Sequence, residues 1–182
     1  EYNYLIKFIK SKDISTENNF KYVQSKVDIN ELLNYQILQI YSRNSDWPQN
    51  NYKTWKSKTK GSKWRWIIHD MDGGFNISSE SSYTFNMFNH AFYYTSQDTY
   101  GYWAKSFLHS LMDNPSYVNE FIQRFAVHLN TIYNSKRVMQ VIGRLENNLE
   151  SAIPRHLARW ANSEMIAVVD SMTEWQDNVE GM

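Results

Sequence analysis

The sequence predicts a mainly α chain with one small β-hairpin near its centre. Apolar residues recur at helical spacing at both ends of the chain, as in Leu5, Ile6 and Ile9 and again in Val118, Phe121, Ile122 and Phe125. Between them, residues 52–56 and 63–68 carry aromatic and β-branched side chains around a Lys-Gly-Ser turn, the pattern of paired strands. A composition of 42% hydrophobic and 16% aromatic residues supplies a core and excludes disorder. Nineteen basic residues balance nineteen acidic ones, so no bulk field recruits nucleic acid or an anionic membrane. Cysteine is absent, which removes disulfides, thiolate zinc sites and thiol catalysis. No apolar run approaches the ~20 residues that span a bilayer.

The elements follow in order. Residues 2–11 form an amphipathic helix, 11–19 a polar connection, and 20–27 suit either helix or strand. Asp28 reads as an N-cap with Glu31 three residues into the helix, a capping box, and Ile29, Leu32, Leu33, Ile37, Ile40 and Tyr41 mark one face of a helix over 29–43. Pro48 stops that helix and pushes Trp47 toward extended geometry. In the hairpin, Trp64, Trp66 and Ile68 alternate toward one face, which predicts a buried hairpin. Gly73 and Gly74 allow sharp turns after it. Residues 77–99 read as a long loop without periodicity. Helices follow over 102–112, from Asn114 and Pro115 as N-cap and first helical residue, from Ser135 as a cap, and from Ser163; Pro154 breaks or kinks the third of these. The chain is expected to form one domain over 1–182, with loops and hairpin in 29–76 and a helical bundle in 102–182. Its first and last residues already lie in helical rhythm, so it is expected to be a piece of a larger protein.

The chemistry concentrates in 44–76. A polar loop, Asn-Ser-Asp-Trp-Pro-Gln-Asn-Asn, precedes the hairpin, and Asp70-Met71-Asp72-Gly73-Gly74 follows it. A hairpin returns the chain to its starting point, about 4.8 Å away, so the two acidic ends should meet. Asp46, Asp70 and Asp72 with Asn50 and Asn51 then make a hard-oxygen donor set of the type that suits Mg²⁺. Asp46 and Asn51 stand at the spacing of catalytic Asp and metal-binding Asn in the protein-kinase catalytic loop, which is likewise followed by a short hairpin and an acidic turn. Spacing alone favours a plainer account, with Asx turns beside Pro48 and a capped acidic turn.

Resemblance alters that balance. The loop together with Lys63-Trp64-Arg65-Trp66-Ile67-Ile68-His69-Asp70-Met71-Asp72-Gly73-Gly74-Phe75 resembles the signature of the CotH kinase family, atypical kinases of spore coats and secreted proteins. Phe121-Ile122-Gln123-Arg124-Phe125 and Ile153-Pro154-Arg155-His156 resemble its helical tail more weakly. The resemblance implies a fold similar to the C-lobe of a protein kinase and an ATP- and Mg²⁺-dependent transfer to Ser/Thr hydroxyls of spore-coat, secreted or surface proteins. It implies Asp46 as catalytic aspartate, Asn51, Asp70 and Asp72 as metal ligands, and Asn50, Asn51 and Asp72 as cofactor-binding residues. Which of Asp70 and Asp72 touches metal stays open. The chain departs from ordinary kinases in having Pro48 where they place a lysine, leaving Lys53 or Arg65 to supply the charge, and in lacking a glycine-rich loop. An isolated C-lobe would be inactive. A non-catalytic coat or surface scaffold and a metal-dependent hydrolase are the rival readings.

Other features read as structural. His69 suits a strand position better than a ligand role, and no His-x-x-x-His spacing suggests zinc. Arg155, His156 and Arg159 read as a solvated helix face, and the aromatics of 83–102 as core packing with a substrate-side loop.

Overall fold

The computed structural model describes residues 1–75, 84–93, 102–160 and 171–180. These are mainly helical, with one two-stranded antiparallel hairpin. They divide into two compact units, 1–125 and 126–182.

In the first unit, α1 (Tyr2–Ser11) buries Leu5 and Ile9, and α2 (Glu17–Lys26) buries Phe20 and Val23. The polar connection between them is therefore shorter than the sequence suggests, and the ambiguous stretch after it is helix. The central element is α3 (Ile29–Tyr41), with seven buried residues. Its start follows the expected cap, since the Asp28 carboxylate accepts from the Glu31 amide. The reciprocal half of the capping box is absent. Glu31 instead accepts from the Trp66 amide at 2.9 Å and so ties the helix start to the hairpin.

Strands β1 (Lys53–Trp55) and β2 (Arg65–Ile67) pair Lys53 with Ile67, Thr54 with Trp66 and Trp55 with Arg65. Alternation leaves one face to the core, where Trp66 packs against the rings of Tyr35, Tyr52 and Phe107. The other face carries Lys53, Trp55, Arg65 and Ile67 outward. The hairpin is thus half-buried: Trp64 lies against Tyr2, and Ile68, expected inside, is 58% exposed because β2 has ended before it. A two-stranded hairpin is marginal alone. Here it is anchored to the segment before α3, with the Trp64 amide bonded to the Lys26 carbonyl at 2.8 Å and the Asp28 amide to the Trp64 carbonyl at 3.0 Å.

Helix α4 (Met87–Phe92) lies within the stretch 77–99 expected to be a loop; of that stretch, 77–83 and 94–99 lie outside the described residues. Phe88 and Phe92 join a ring cluster with Phe121 and Phe125, in which Phe92 and Phe121 are buried core while Phe88 is left 46% exposed. Helices α5 (Tyr102–Met112) and α6 (Pro115–Asn130) start as predicted. Asn114 caps α6 by accepting from the Tyr117 amide, while its own amide donates to the Ile14 carbonyl at 2.9 Å, joining α6 to the α1–α2 connection.

In the second unit, α7 (Ser135–Leu149) is capped by Asn134 rather than Ser135, its oxygen accepting from the Lys136 amide. The helix continues through a 3₁₀ turn (Glu150–Ala152) into α8 (Ile153–Trp160), so Pro154 sits in a first turn, where its missing N–H costs nothing. On α8 Arg155, His156 and Arg159 are exposed, a solvated face. The expected start at Ser163, with Ile166 and Val169, lies outside the described residues; α9 (Met172–Glu180) follows. No described helix is long and apolar enough to cross a membrane.

Candidate active site

The site is built where the chain leaving α3 meets the chain leaving β2. Helix α3 ends at Tyr41, and Arg43 takes a positive φ of 55° that turns the backbone out of the helix. The emerging loop then pairs with the acidic turn: the Phe75 amide donates to the Ser42 carbonyl at 2.7 Å, and the Ser45 amide to the Gly73 carbonyl at 3.2 Å. The predicted meeting of the two acidic ends occurs.

Asn44, fully buried, connects the two strands of this junction. Its Oδ1 accepts from the Asp46 amide at 3.2 Å, and its Nδ2 donates to Gln39 Oε1 at 2.9 Å and to the Asp70 carbonyl at 3.4 Å. One carboxamide therefore positions Asp46 against the end of α3 and the start of the acidic turn. Trp47, also fully buried, anchors the next position. Its carbonyl accepts from His90 Nε2 at 2.7 Å, which pins the loop to α4.

Asn51 completes the junction. Its Nδ2 lies 3.5 Å from Asp46 Oδ2 and 3.3 Å from the Asp70 carbonyl, so it bridges the two ends of the hairpin by donating to both. Its Oδ1 takes part in neither bond. The Asp46, Asp70 and Asp72 side chains are exposed, and Asn50 is half-buried, its amide bonded to the Asp46 carbonyl at 2.8 Å.

Asn51 and Asp70 both have φ of 54°, and Phe75 has φ of 50°. With Arg43, the non-glycine residues of positive φ among those described all fall within the junction. Asn and Asp tolerate this region; Arg and Phe adopt it at a cost of order 1 kcal/mol or more, a strain that recurs at functional sites. The two glycines serve a different purpose from the one the sequence suggests. Neither has positive φ, but a Cβ at Gly73 would lie 2.9 Å from Asn44 Oδ1 and 3.3 Å from Asp46 Cβ, and one at Gly74 would lie 2.7 Å from the Ser42 carbonyl oxygen. They permit the close approach of two backbones.

The cations separate. Arg65 is committed to Asp28, at 2.8 Å. Lys53 stands on the same strand parity as Asn51, and its ammonium donates to His69 Nε2 at 2.6 Å. His69 is therefore a positioning partner for Lys53, a pairing that no single-strand pattern signals.

All donors at the junction are oxygens, which fits Mg²⁺ rather than a softer metal. Among the described residues no three His, Asp or Glu side chains converge tightly enough to hold an ion by themselves. Mg²⁺ commonly takes only one or two carboxylates, with other oxygen ligands filling the remaining positions, so the donor set at the junction is of a kind that fits it. Asn44 and Gln39 were not legible as site residues. An Asn two residues before an Asp is an ordinary Asx-turn signal, and nothing local says that its amide reaches a residue 26 positions away.

A family model described as CotH kinase protein matches residues 1–182. No curated protein and no solved structure matches the chain.

Proposed function

The chain belongs to the CotH kinase family, and from that premise we propose that it carries the catalytic and metal-binding half of an ATP- and Mg²⁺-dependent protein kinase, in a lobe similar to the kinase C-lobe. The observation that carries the proposal is the Asn51 bridge, which places the Asp46 carboxylate and the backbone of the acidic turn on one side chain. Phosphoryl transfer is mainly positioning and neutralisation of charge, and it needs a carboxylate for the attacking hydroxyl beside oxygens for the metal. Asp46 orients a Ser or Thr hydroxyl and accepts its hydrogen bond. Asn51 Oδ1, with Asp70 or Asp72, would hold Mg²⁺, whose positive charge would neutralise the phosphates, and Asn50 and Asp72 border the nucleotide. Lys53 supplies the cation that Pro48 cannot. With no glycine-rich loop in the sequence, cover for the phosphates comes from outside these residues, so the chain by itself is inactive. The acceptors are secreted, surface or spore-coat proteins.

The test is phosphate transfer from labelled ATP by the intact protein. Asp46→Ala is expected to lower it by about 10²–10⁴-fold, as loss of a general base does, with Asp72→Ala and Asn51→Ala also impaired. Undiminished labelling by both aspartate variants sinks the assignment.

A scaffold without catalysis is the second reading, in which the hydrogen bonds that Asn44 and Asn51 make serve only to hold the junction together. It predicts no rise in melting temperature with Mg²⁺ and ATP together, whereas ligand at a hundredfold over its Kd stabilises by about 2.7 kcal/mol.

A further inference from the structure

The net charge of zero conceals a local excess. Residues 53–65 hold Lys53, Lys56, Lys58, Lys60, Lys63 and Arg65 and no acidic residue. Two of the six are neutralised from elsewhere, Lys56 by Glu1 and Arg65 by Asp28. Lys53 is held by His69 beside the site. Lys58, Lys60 and Lys63 are exposed around the turn at Gly61 and have no ion pair among the described residues. Beside them runs a groove of about 330 Å³ lined by Trp55, Ser57, Ser62, Lys63 and the paired Asp28 and Arg65. Trp55 is 46% exposed there, under the Arg65 guanidinium, which lies 6.0 Å from its ring centroid. A large aromatic left in water among unpaired lysines and hydroxyls is a surface suited to an anionic chain that also has backbone to lay on a ring.

We infer that the basic tip of the hairpin, with the Trp55 groove, docks an acidic segment of the protein substrate. The inference rests on the kinase reading for what is docked, and on charge and geometry for where. Asn51 and Lys58 are seven residues apart, so the tip lies at most about 23 Å from the catalytic junction along an extended strand. An extended peptide covers that distance in about seven residues. The acidic stretch should therefore lie within about seven residues of the acceptor hydroxyl. A nucleic acid is the weaker candidate, because the patch is a single short hairpin on a chain with no net charge to support it.

The experiment is fluorescence anisotropy with this chain and three labelled probes: a 15-residue peptide with one Ser and four Glu beginning seven residues from it, the same peptide with Gln for Glu, and a 15-nucleotide single strand of DNA. The acidic peptide is expected to bind at least tenfold tighter than the neutral one. The triple variant Lys58→Ser, Lys60→Ser, Lys63→Ser should erase that preference while keeping the wild-type circular dichroism spectrum, since all three side chains are exposed. Equal binding of the two peptides, an unaltered preference in the triple variant, or DNA bound as tightly as the acidic peptide would each overturn the inference. The kinase reading fails separately. If the intact protein transfers no phosphate but this binding persists, only that reading is lost; if it labels neutral and acidic peptides alike and no preference is seen, only the docking site is lost.

Discussion

Replacing Gly74 by alanine tests the junction at its tightest point. The added Cβ would stand 2.7 Å from the Ser42 carbonyl oxygen and 3.3 Å from that of Met71. Both are backbone atoms, so neither can swing aside, and ordinary contact requires the two segments to separate by roughly 0.5 Å or more. The same Ser42 oxygen accepts the 2.7 Å bond from the Phe75 amide, which that separation weakens. Overpacking costs about 1–3 kcal/mol and the lost bond about 0.5–1.5 kcal/mol, so the variant should lose roughly 2–4 kcal/mol. For a chain of this size each kcal/mol corresponds to about 2–4 °C. Thermal unfolding followed by near-ultraviolet circular dichroism suits the purpose, because Trp47 and Trp66 are buried in the same unit. Gly143→Ala serves as the counterpart. Nothing lies within 4 Å of its Cβ position inside α7, so alanine there should stabilise by about 0.5–1 kcal/mol. A Gly74→Ala protein within about 0.5 kcal/mol of wild type would refute the close-approach reasoning.

Burial raises the Glu31 carboxyl above its ordinary value, partly offset by the bond from the Trp66 amide. A raised folded value means that its contribution is fully present below the unfolded value of 4.5 and is lost as pH rises through the folded one. Glu31→Gln keeps an oxygen for Trp66, so its stability relative to wild type should improve with rising pH above about 4.5; urea titrations at several pH values check this, and a parallel pair of curves contradicts it. Tyr117→Phe removes the buried hydroxyl that donates to Gln36 Oε1 at 2.6 Å and should cost about 1–3 kcal/mol by denaturant unfolding, since the Gln36 oxygen is left dry. Arg124→Ala, which loses bonds to the Asn30 carbonyl and side chain and to Glu120, should cost less, about 0.5–1.5 kcal/mol in the same assay, because the pair with Glu120 is partly solvated.

What could be read from the sequence was local. Helical rhythm located α1, α3, α5 and α6, and cap chemistry located Asp28 and Asn114, because both signals depend on neighbours within a turn. The hairpin was legible from alternation and its turn, and closure of the hairpin was enough to bring Asp46 and Asp70 together. What stayed hidden was non-local. Glu31 satisfies its cap geometry on paper, yet its carboxylate serves a strand 35 residues away. Asn44 looks like a loop-former and is the buried centre of the junction. Gly73 and Gly74 look like hinge residues, and only the three-dimensional approach of Ser42 and Asn44 reveals that the missing side chains matter. Ile68 continues the strand pattern in sequence but not in space, because pairing stops at Ile67.

The bridge between Val27 and Trp64 sets where the protein can be shortened. Every catalytic candidate lies at or beyond Asp46, so a chain begun at Ile29 would retain them all along with the whole of α3. It would lose the Lys26 carbonyl that holds Trp64, the Asp28 amide that Trp64 holds in return, and the Asp28 carboxylate that Arg65 grips. Six paired residues are marginal as a hairpin, and the hairpin is what returns Asp70 to Asn51. Such a shortened chain would contain the complete motif, with only the Glu31–Trp66 bond and the packing of Trp66 on Tyr35 and Phe107 left to hold the hairpin to α3 and α5.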